Sequence, residues 1–307
     1  MNMYQKREQR KNNKETDKSC TSTSINWFPG HMVKAINEIK ANIKLIDIVC
    51  VVLDSRIPDS SKNDIIFDIA KDKPIIIIFN KADLADEEAL KVKINEYEKK
   101  GYYTVHTNAS VGQGMDKLIQ TIIKVGKEVK YASKSSKAYE DINPIYRVLI
   151  SGIPNVGKST IINKLAGRKT ADVGNKPGVT RKKQWIRLEN NIQLMDTPGI
   201  LWHKLDENDA GTKLALTGNI KEEILLIDEL ALELIKYLKN NDKYFEMLCS
   251  RYKLSKELKE LENYEILEEI GKNRGAIIKG GEVDYNKIAK ILIDEFNAGL
   301  IGKISLE

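Results

Sequence analysis

Gly152-Ile153-Pro154-Asn155-Val156-Gly157-Lys158-Ser159 matches the pattern G-x-x-x-x-G-K-[ST]. Glycines at both ends let the backbone curl so that successive N–H groups face phosphate oxygens. Lys158 is placed to reach β and γ phosphates, and Ser159 offers a hydroxyl to Mg²⁺. A helix expected from Lys158 adds its positive dipole end. Asn155, Val156, Gly157, Lys158, Ser159 and Thr160 are therefore the phosphate-binding candidates. The expected ligand is a nucleoside triphosphate, with the base still open.

Asn80-Lys81-Ala82-Asp83 addresses the base, because it directly follows the apolar run Ile75–Phe79. A carboxylate at Asp83 accepts two hydrogen bonds from the guanine N–H edge. Adenine lacks that donor pair and would leave the carboxylate unpaired, at a cost of several kcal/mol in a buried site. Asn80 can bond the base and tie loops together, and the Lys81 stem can cover the ring. An ATPase or nucleotide kinase is the rival reading, and Asp83 opposes it. Asn108-Ala109-Ser110, after a third strand, would support the base through backbone N–H groups.

Asp196-Thr197-Pro198-Gly199 follows the run Ile192–Met195. Read as chemistry, Asp196 holds Mg²⁺ through water and the Gly199 N–H meets the γ phosphate. Read plainly, it is an ordinary turn sequence. Thr180, between Lys158 and Asp196, can complete the Mg²⁺ shell and serve the reaction together with Lys158. Many GTPases carry a water-orienting glutamine after this glycine, but here Ile200 stands there.

These motifs need elements to hold them. Ile46–Leu53 and Pro74–Phe79 read as buried parallel strands, and Tyr102–His106 as a third. Helical stretches fall near 33–44, 61–71, 86–100 and 113–126. The alternation predicts βαβ units in a doubly wound α/β sheet. Residues 127–144 read as a linker, Tyr146–Ser151 as a strand, and 184–195 as a hairpin turning at Glu189-Asn190. After about residue 218 every apolar pattern has helical spacing. The expected organisation is a flexible tail (1–24), a nucleotide domain (25–217) and a small all-α domain (218–307). Lys81 lies 77 positions before Lys158, the reverse of the usual order. The fold class is thus a P-loop GTPase sheet in circularly permuted order, with GTP and GDP as ligands. Because the sensor motif falls just before the helical domain, γ-phosphate sensing is expected to pass directly into it.

The formal charge is +6, unevenly spread. Residues 168–187 carry seven basic side chains against Asp172, a patch centred on Arg181, Lys182 and Lys183 that suits a phosphate backbone. Fourteen basic and eighteen acidic residues follow from Lys221, so RNA contact there would rest on a local stripe of Arg251, Lys253, Lys256 and Lys259. No run approaches the roughly 18 apolar residues of a membrane span. Cys20, Cys50 and Cys249 lack metal-ligand spacing and fit a reducing cytoplasm, with Cys50 expected inside a strand.

Permuted order, together with Trp27-Phe28-Pro29-Gly30-His31-Met32, Asp54-Ser55-Arg56-Ile57-Pro58 and Asp196-Thr197-Pro198-Gly199-Ile200-Leu201-Trp202, resembles the bacterial ribosome biogenesis GTPase A family (YlqF type). The resemblance covers about residues 25–307. It implies a GTPase assisting late assembly of the large ribosomal subunit, with rRNA contact through a helical domain; no stable protein partner is implied. It points to His31 as the group that orients water or senses γ phosphate; a structural histidine pinning the N-terminal segment is the other reading. Related cation-dependent GTPases suggest a K⁺ ion at the Asn155 side-chain oxygen. Slow turnover that rises on the ribosome is expected. A nucleotide-dependent RNA-binding module with little hydrolysis is the alternative. Two departures stand out: a tail of about 24 residues, and His203 where proline is expected.

Overall fold

The computed structural model describes residues 30–132, 144–167, 184–197, 199–201, 209–220 and 226–307. They fall into two compact units, 28–221 with 303–307, and a helical unit of which 226–302 is described.

The first unit is built on a six-stranded sheet. Its strands are β1 (Ile48–Asp54), β2 (Ile75–Asn80), β3 (Tyr103–His106), β4 (Tyr146–Ser151), β5 (Gln184–Arg187) and β6 (Ile192–Asp196), in the order β3-β2-β1-β4-β6-β5. All pairings are parallel except β5 with β6. Every residue of β1 and β2 is buried, as continuous β-branched runs require when both sheet faces are covered. Alternate residues Val49, Val51 and Leu53 of β1 and Ile75, Ile77 and Phe79 of β2 share one core. Helices α1 (Gly30–Asn42), α2 (Asp64–Ile69) and α3 (Glu87–Lys99) contribute Ile39, Phe67 and Tyr97 to it. Helices α4 (Met115–Ala132) and α5 (Lys158–Leu165) complete the alternation. The β5–β6 connection places Asn190 and Asn191 at φ 60° and 58°, so the turn sits one residue later than the sequence suggests. Asparagine tolerates that left-handed region better than other side chains.

Strand order reverses between β1 and β4. In such sheets ligands bind outside the carboxyl ends of the strands at the switch. Asp54, Asn80, the Gly152–Ser159 loop and Asp196 all lie at those ends.

The helical unit comprises α7 (Ile227–Lys239), α8 (Asp242–Tyr252), α9 (Asn263–Asn273) and α10 (Tyr285–Asn297) among the described residues. Leu230, Leu234, Ile235 and Leu238 make the buried stripe of α7 at three- and four-residue spacing. Asn241 caps α8 and Asp284 caps α10. Three of the four stripe cations are ion-paired: Arg251 with Glu295 at 2.7 Å, Lys256 with Glu246, and Lys259 with Asp242. Acidic neighbours thus answer most of the local positive charge read from the sequence.

Two features of the domain organisation depart from the sequence expectation. The sensor motif does not run directly into the helical unit, because α6 (Ala210–Leu216) and a turn to Ile220 intervene in the first unit. Residues 303–307 also return to the first unit rather than ending the helical one. There the Ile304 N–H donates to the Leu84 carbonyl at 3.0 Å and the Leu306 N–H to that of Arg56 at 2.9 Å. The Glu307 carboxylate accepts from the N–H groups of Asp59 and Ser60 at 2.7 and 3.0 Å. Among the described residues, no helix is long and apolar enough to cross a membrane.

Tyr97 is fully buried edge-on to Phe79, ring centroids 5.5 Å apart. Tyr97→Ala is expected to lower unfolding free energy by about 3–5 kcal/mol. Tyr97→Phe, which loses only the hydroxyl contact to Asp59, is expected to cost about 1 kcal/mol. Urea midpoints measure both.

Candidate functional site

β2 ends in Asn80, whose amide is engaged on both sides. Its Nδ2 donates to the Val156 carbonyl at 2.7 Å, and its Oδ1 accepts from the Thr107 hydroxyl at 3.0 Å and the Ala109 N–H at 3.2 Å. The loop after β2, the loop after β3 and the phosphate loop are thereby joined through one buried side chain. Gly157 has φ 101°, and a Cβ there would lie 2.2 Å from Asn80 Nδ2. Both the left-handed backbone and the close approach demand glycine. Its C=O accepts from Ile161 as α5 begins.

Within the phosphate loop, Lys158 Nζ donates to the carbonyls of Gly152 at 3.1 Å and Ile153 at 2.8 Å. Burial pulls its pKa down to about 8, against the opposing pull of Asp196. Burial pushes the Asp196 carboxyl up to about 6, resisted by Lys158 and the Thr197 N–H. Asp196 Oδ1 is buried and has no hydrogen-bond partner. Ser159 and Thr160 occupy the first turn of α5.

Gly199 packs onto the phosphate loop, where an added Cβ would sit 2.8 Å from Pro154 N and 2.9 Å from its Cα. The Ile200 N–H donates to the Gly152 carbonyl at 3.3 Å, and Asn63, the N-cap of α2, donates to the Ile200 carbonyl at 2.8 Å. The Ile200 side chain belongs to the sheet core. Fixed there and apolar, it does not orient water.

Asn155 has φ 57°, and its Nδ2 donates to the Gly218 carbonyl at 2.9 Å. Lys81 has φ 58° and its Nζ lies 2.8 Å from Asp54 Oδ2. Ala82 is half-buried and Asp83 exposed, and the Ala82 N–H donates to the Thr107 carbonyl at 3.1 Å. The N–H groups of Asn108, Ala109 and Ser110 donate within the site's own loops, to Gln113, Asn80 and Asn108. His31 is the second residue of α1, and its side chain lies outside what is described. Thr180, the Arg181–Lys183 patch, Trp27 to Pro29, Pro198, Trp202, His203 and the N-terminal tail also lie outside the described residues.

Residue-level reading of the sequence missed four contributors to this edge. Asp54 and Arg56 entered only as part of a resemblance, although two opposite charges at the end of a buried strand mark a site edge. Asn63 shows its function only once α2 is placed beside the 199–201 segment. Asn219 follows Gly218, and a glycine closing an apolar run is the available signal of a helix end.

Residues 147–266 match the family of 50S ribosome-binding GTPases. The chain is 41% identical over 284 residues to the ribosome biogenesis GTPase A of Bacillus cereus, covering 92% of this chain and 93% of that one. It is 30% identical over 283 residues to the Thermotoga maritima protein of that name, covering 92% and 94%. The GNP-bound crystal structure of YlqF from T. maritima superposes with a TM-score of 0.58 at 27% identity, covering 89% of this chain and 97% of that one. A GDP-bound YlqF structure gives 0.59 at 28% identity, covering 88% and 98%.

Gly157→Ala is expected to break the Asn80–Val156 bond and strain the loop by about 1–3 kcal/mol. The measurable outcome is loss of guanine nucleotide binding by at least roughly tenfold, read by fluorescent GDP titration of protein that remains folded by circular dichroism.

Proposed function

The chain belongs to the ribosome biogenesis GTPase A family and is a GTP-binding, GTP-hydrolysing factor of ribosome assembly; on that premise we propose that it serves late assembly of the large subunit. In this reading it works in the cytoplasm, holds the subunit through rRNA while GTP is bound, and leaves after hydrolysis. The observation that carries the reading is the 2.7 Å bond from Asn80 to Val156, which puts the base loop and the phosphate loop at one sheet edge. A single guanosine triphosphate then spans Asp83 and the Gly152–Ser159 backbone. The basic run 168–187 supplies the positive charge that suits rRNA.

Hydrolysis requires in-line attack of water on the γ phosphorus, with the bond to the β–γ bridging oxygen breaking as GDP leaves. Lys158 carries an ammonium with three donors, positioned to meet charge building on the phosphate oxygens. Gly199, pressed against Pro154, is the backbone N–H that would meet the γ phosphate. Asn80, Lys81, Ala82 and Asp83 hold the base, with Asn108 and Ala109 shaping the loop beneath it.

The described residues fit a magnesium ion: Asp196 brings a buried oxygen without a partner and Ser159, at the start of α5, would add a hydroxyl, with Thr180 the further candidate from the sequence. Bound there, such an ion would offset negative charge on the phosphates. Asn155, with its amide nitrogen turned to Gly218, keeps its oxygen for K⁺. Ile200 is core, so another group must orient the water, and the family resemblance makes His31, at the start of α1, the candidate. Intrinsic turnover is slow and rises on the ribosome, where the attacking water becomes ordered.

Co-sedimentation tests the switch. Purified protein is expected to pellet with large subunits in a non-hydrolysable GTP analogue and to remain mostly in the supernatant with GDP. Equal pelleting in both states refutes it. A second expectation concerns pH. Asp196 must be ionised to attract a divalent cation, and its raised pKa keeps it protonated below about 6. The Mg²⁺-dependent gain in GDP affinity is therefore present above that value and lost as pH falls through it. Calorimetric titration with and without Mg²⁺ between pH 5 and 7.5 follows the loss, and Asp196→Asn should show no such pH dependence.

A further inference from the structure

Asp54 closes β1, opposite Asn80 in the β1–β2 register. It is fully buried, yet no motif for nucleotide binding contains it. Arg56 Nε donates to Asp54 Oδ1 at 3.0 Å and Arg56 Nη2 to Oδ2 at 2.8 Å, a bidentate pair. Lys81 Nζ meets the same Oδ2 at 2.8 Å, and Asn219 Nδ2 donates to it at 3.1 Å. Burial alone would raise the Asp54 carboxyl, but the charges and hydrogen bonds of Arg56 and Lys81 outweigh it and hold it far below the usual carboxylate range. The carboxylate is thus held in its ionised form, with Arg56, Lys81 and Asn219 all donating to it.

Asn219 is delivered by a helix end. The Gly218 N–H donates to Ala215 O at 3.0 Å and the Asn219 N–H to Leu214 O at 2.8 Å, the two bonds of a Schellman motif. Gly218 takes φ 71°. The Thr217 carbonyl accepts from Arg56 Nη2 at 2.9 Å, the Thr217 hydroxyl accepts from Asn219 at 2.8 Å, and the Gly218 carbonyl accepts from Asn155 at 2.9 Å. Three consecutive residues therefore touch both the group that anchors Lys81 and the phosphate loop.

We propose that Asp54 is a positioning residue for guanine recognition: with Arg56 and Asn219 it fixes the Lys81 ammonium, and so lays the Lys81 stem as the rail on which the base rests. The Thr217–Asn219 turn locks that rail to the phosphate loop at Asn155. Lys81 has four rotatable side-chain bonds and would otherwise sample many rotamers. Anchoring its far end leaves only the stem arrangement that the carboxylate permits. This inference rests on the proposed guanine site.

The test separates base from phosphate. Affinities for GDP and for ribose 5-triphosphate, which lacks the base, are measured for wild type, Asp54→Asn, Asn219→Ala, Lys81→Ala and the doubles with Lys81→Ala. Asp54→Asn is expected to weaken GDP about tenfold, as loss of a charged hydrogen bond implies, with ribose 5-triphosphate changed less than about twofold. If Asp54 acts through Lys81, each double variant loses no more than Lys81→Ala alone. Equal weakening of both ligands, or additive losses in the doubles, overturns the proposal. Asn219→Ala leaves the Arg56–Asp54 pair intact, so it carries the test should Asp54→Asn not fold. Failure of wild-type protein to prefer GDP over ADP would instead sink the guanine site itself.

Discussion

Asn80 bridges the ends of β2 and β4 across the intervening strand β1, and three loops converge on its one amide. Its donor end satisfies Val156 and its acceptor end takes Thr107 and Ala109. A buried amide left half-bonded carries a desolvation penalty of about 1–3 kcal/mol, so the loops hold one another in place through it. The glycine at 157 follows from the same constraint, since any Cβ there would occupy the space of the Asn80 amide. Base loop and phosphate loop thus share one geometry set by the sheet, which is how a binding constellation stays within the tolerance catalysis needs.

Around that frame the charges are deliberately under-solvated. Lys158 and Asp196 are each pushed toward neutrality by burial and held partly in check by the other. Such a pair responds strongly to an incoming polyanion and its counter-cation, because the low local dielectric magnifies both. Asp54 is the opposite case. Surrounded by Arg56, Lys81 and Asn219, it keeps its charge and serves as a fixed anchor. One edge of the sheet therefore holds a charge pair poised to respond and an anion that stays constant.

The two units are joined covalently at both ends of the helical one, through the segment after Ile220 and through 302–303. The first connection leaves from the turn that touches Asn155 and Arg56. The second enters a strand-like tail bonded to the loops after β1 and β2. Both connections leave from segments hydrogen-bonded to loops at the nucleotide edge.

What the residue order determined was local and repetitive. The glycine-lysine-serine turn, the N-K-x-D tetrapeptide after an isoleucine run, the permuted order and the parallel sheet all follow from short-range patterns: period two against period 3.6, and side chains whose chemistry fits one ligand. Cys50 inside β1 was legible for the same reason. What only the tertiary structure decided depends on residues far apart in sequence. Asp54 meets Asn219 across 165 positions and Ser60 meets Glu307 across 247, and no spacing rule carries such pairs. The stripe of cations near Arg251 looked available until Glu295, Glu246 and Asp242 were brought beside it. Ile200 likewise became a core residue only when its loop was pinned by Gly152 and Asn63. Periodicity and motif chemistry are properties of neighbours along the chain, whereas burial and charge pairing are properties of neighbours in space.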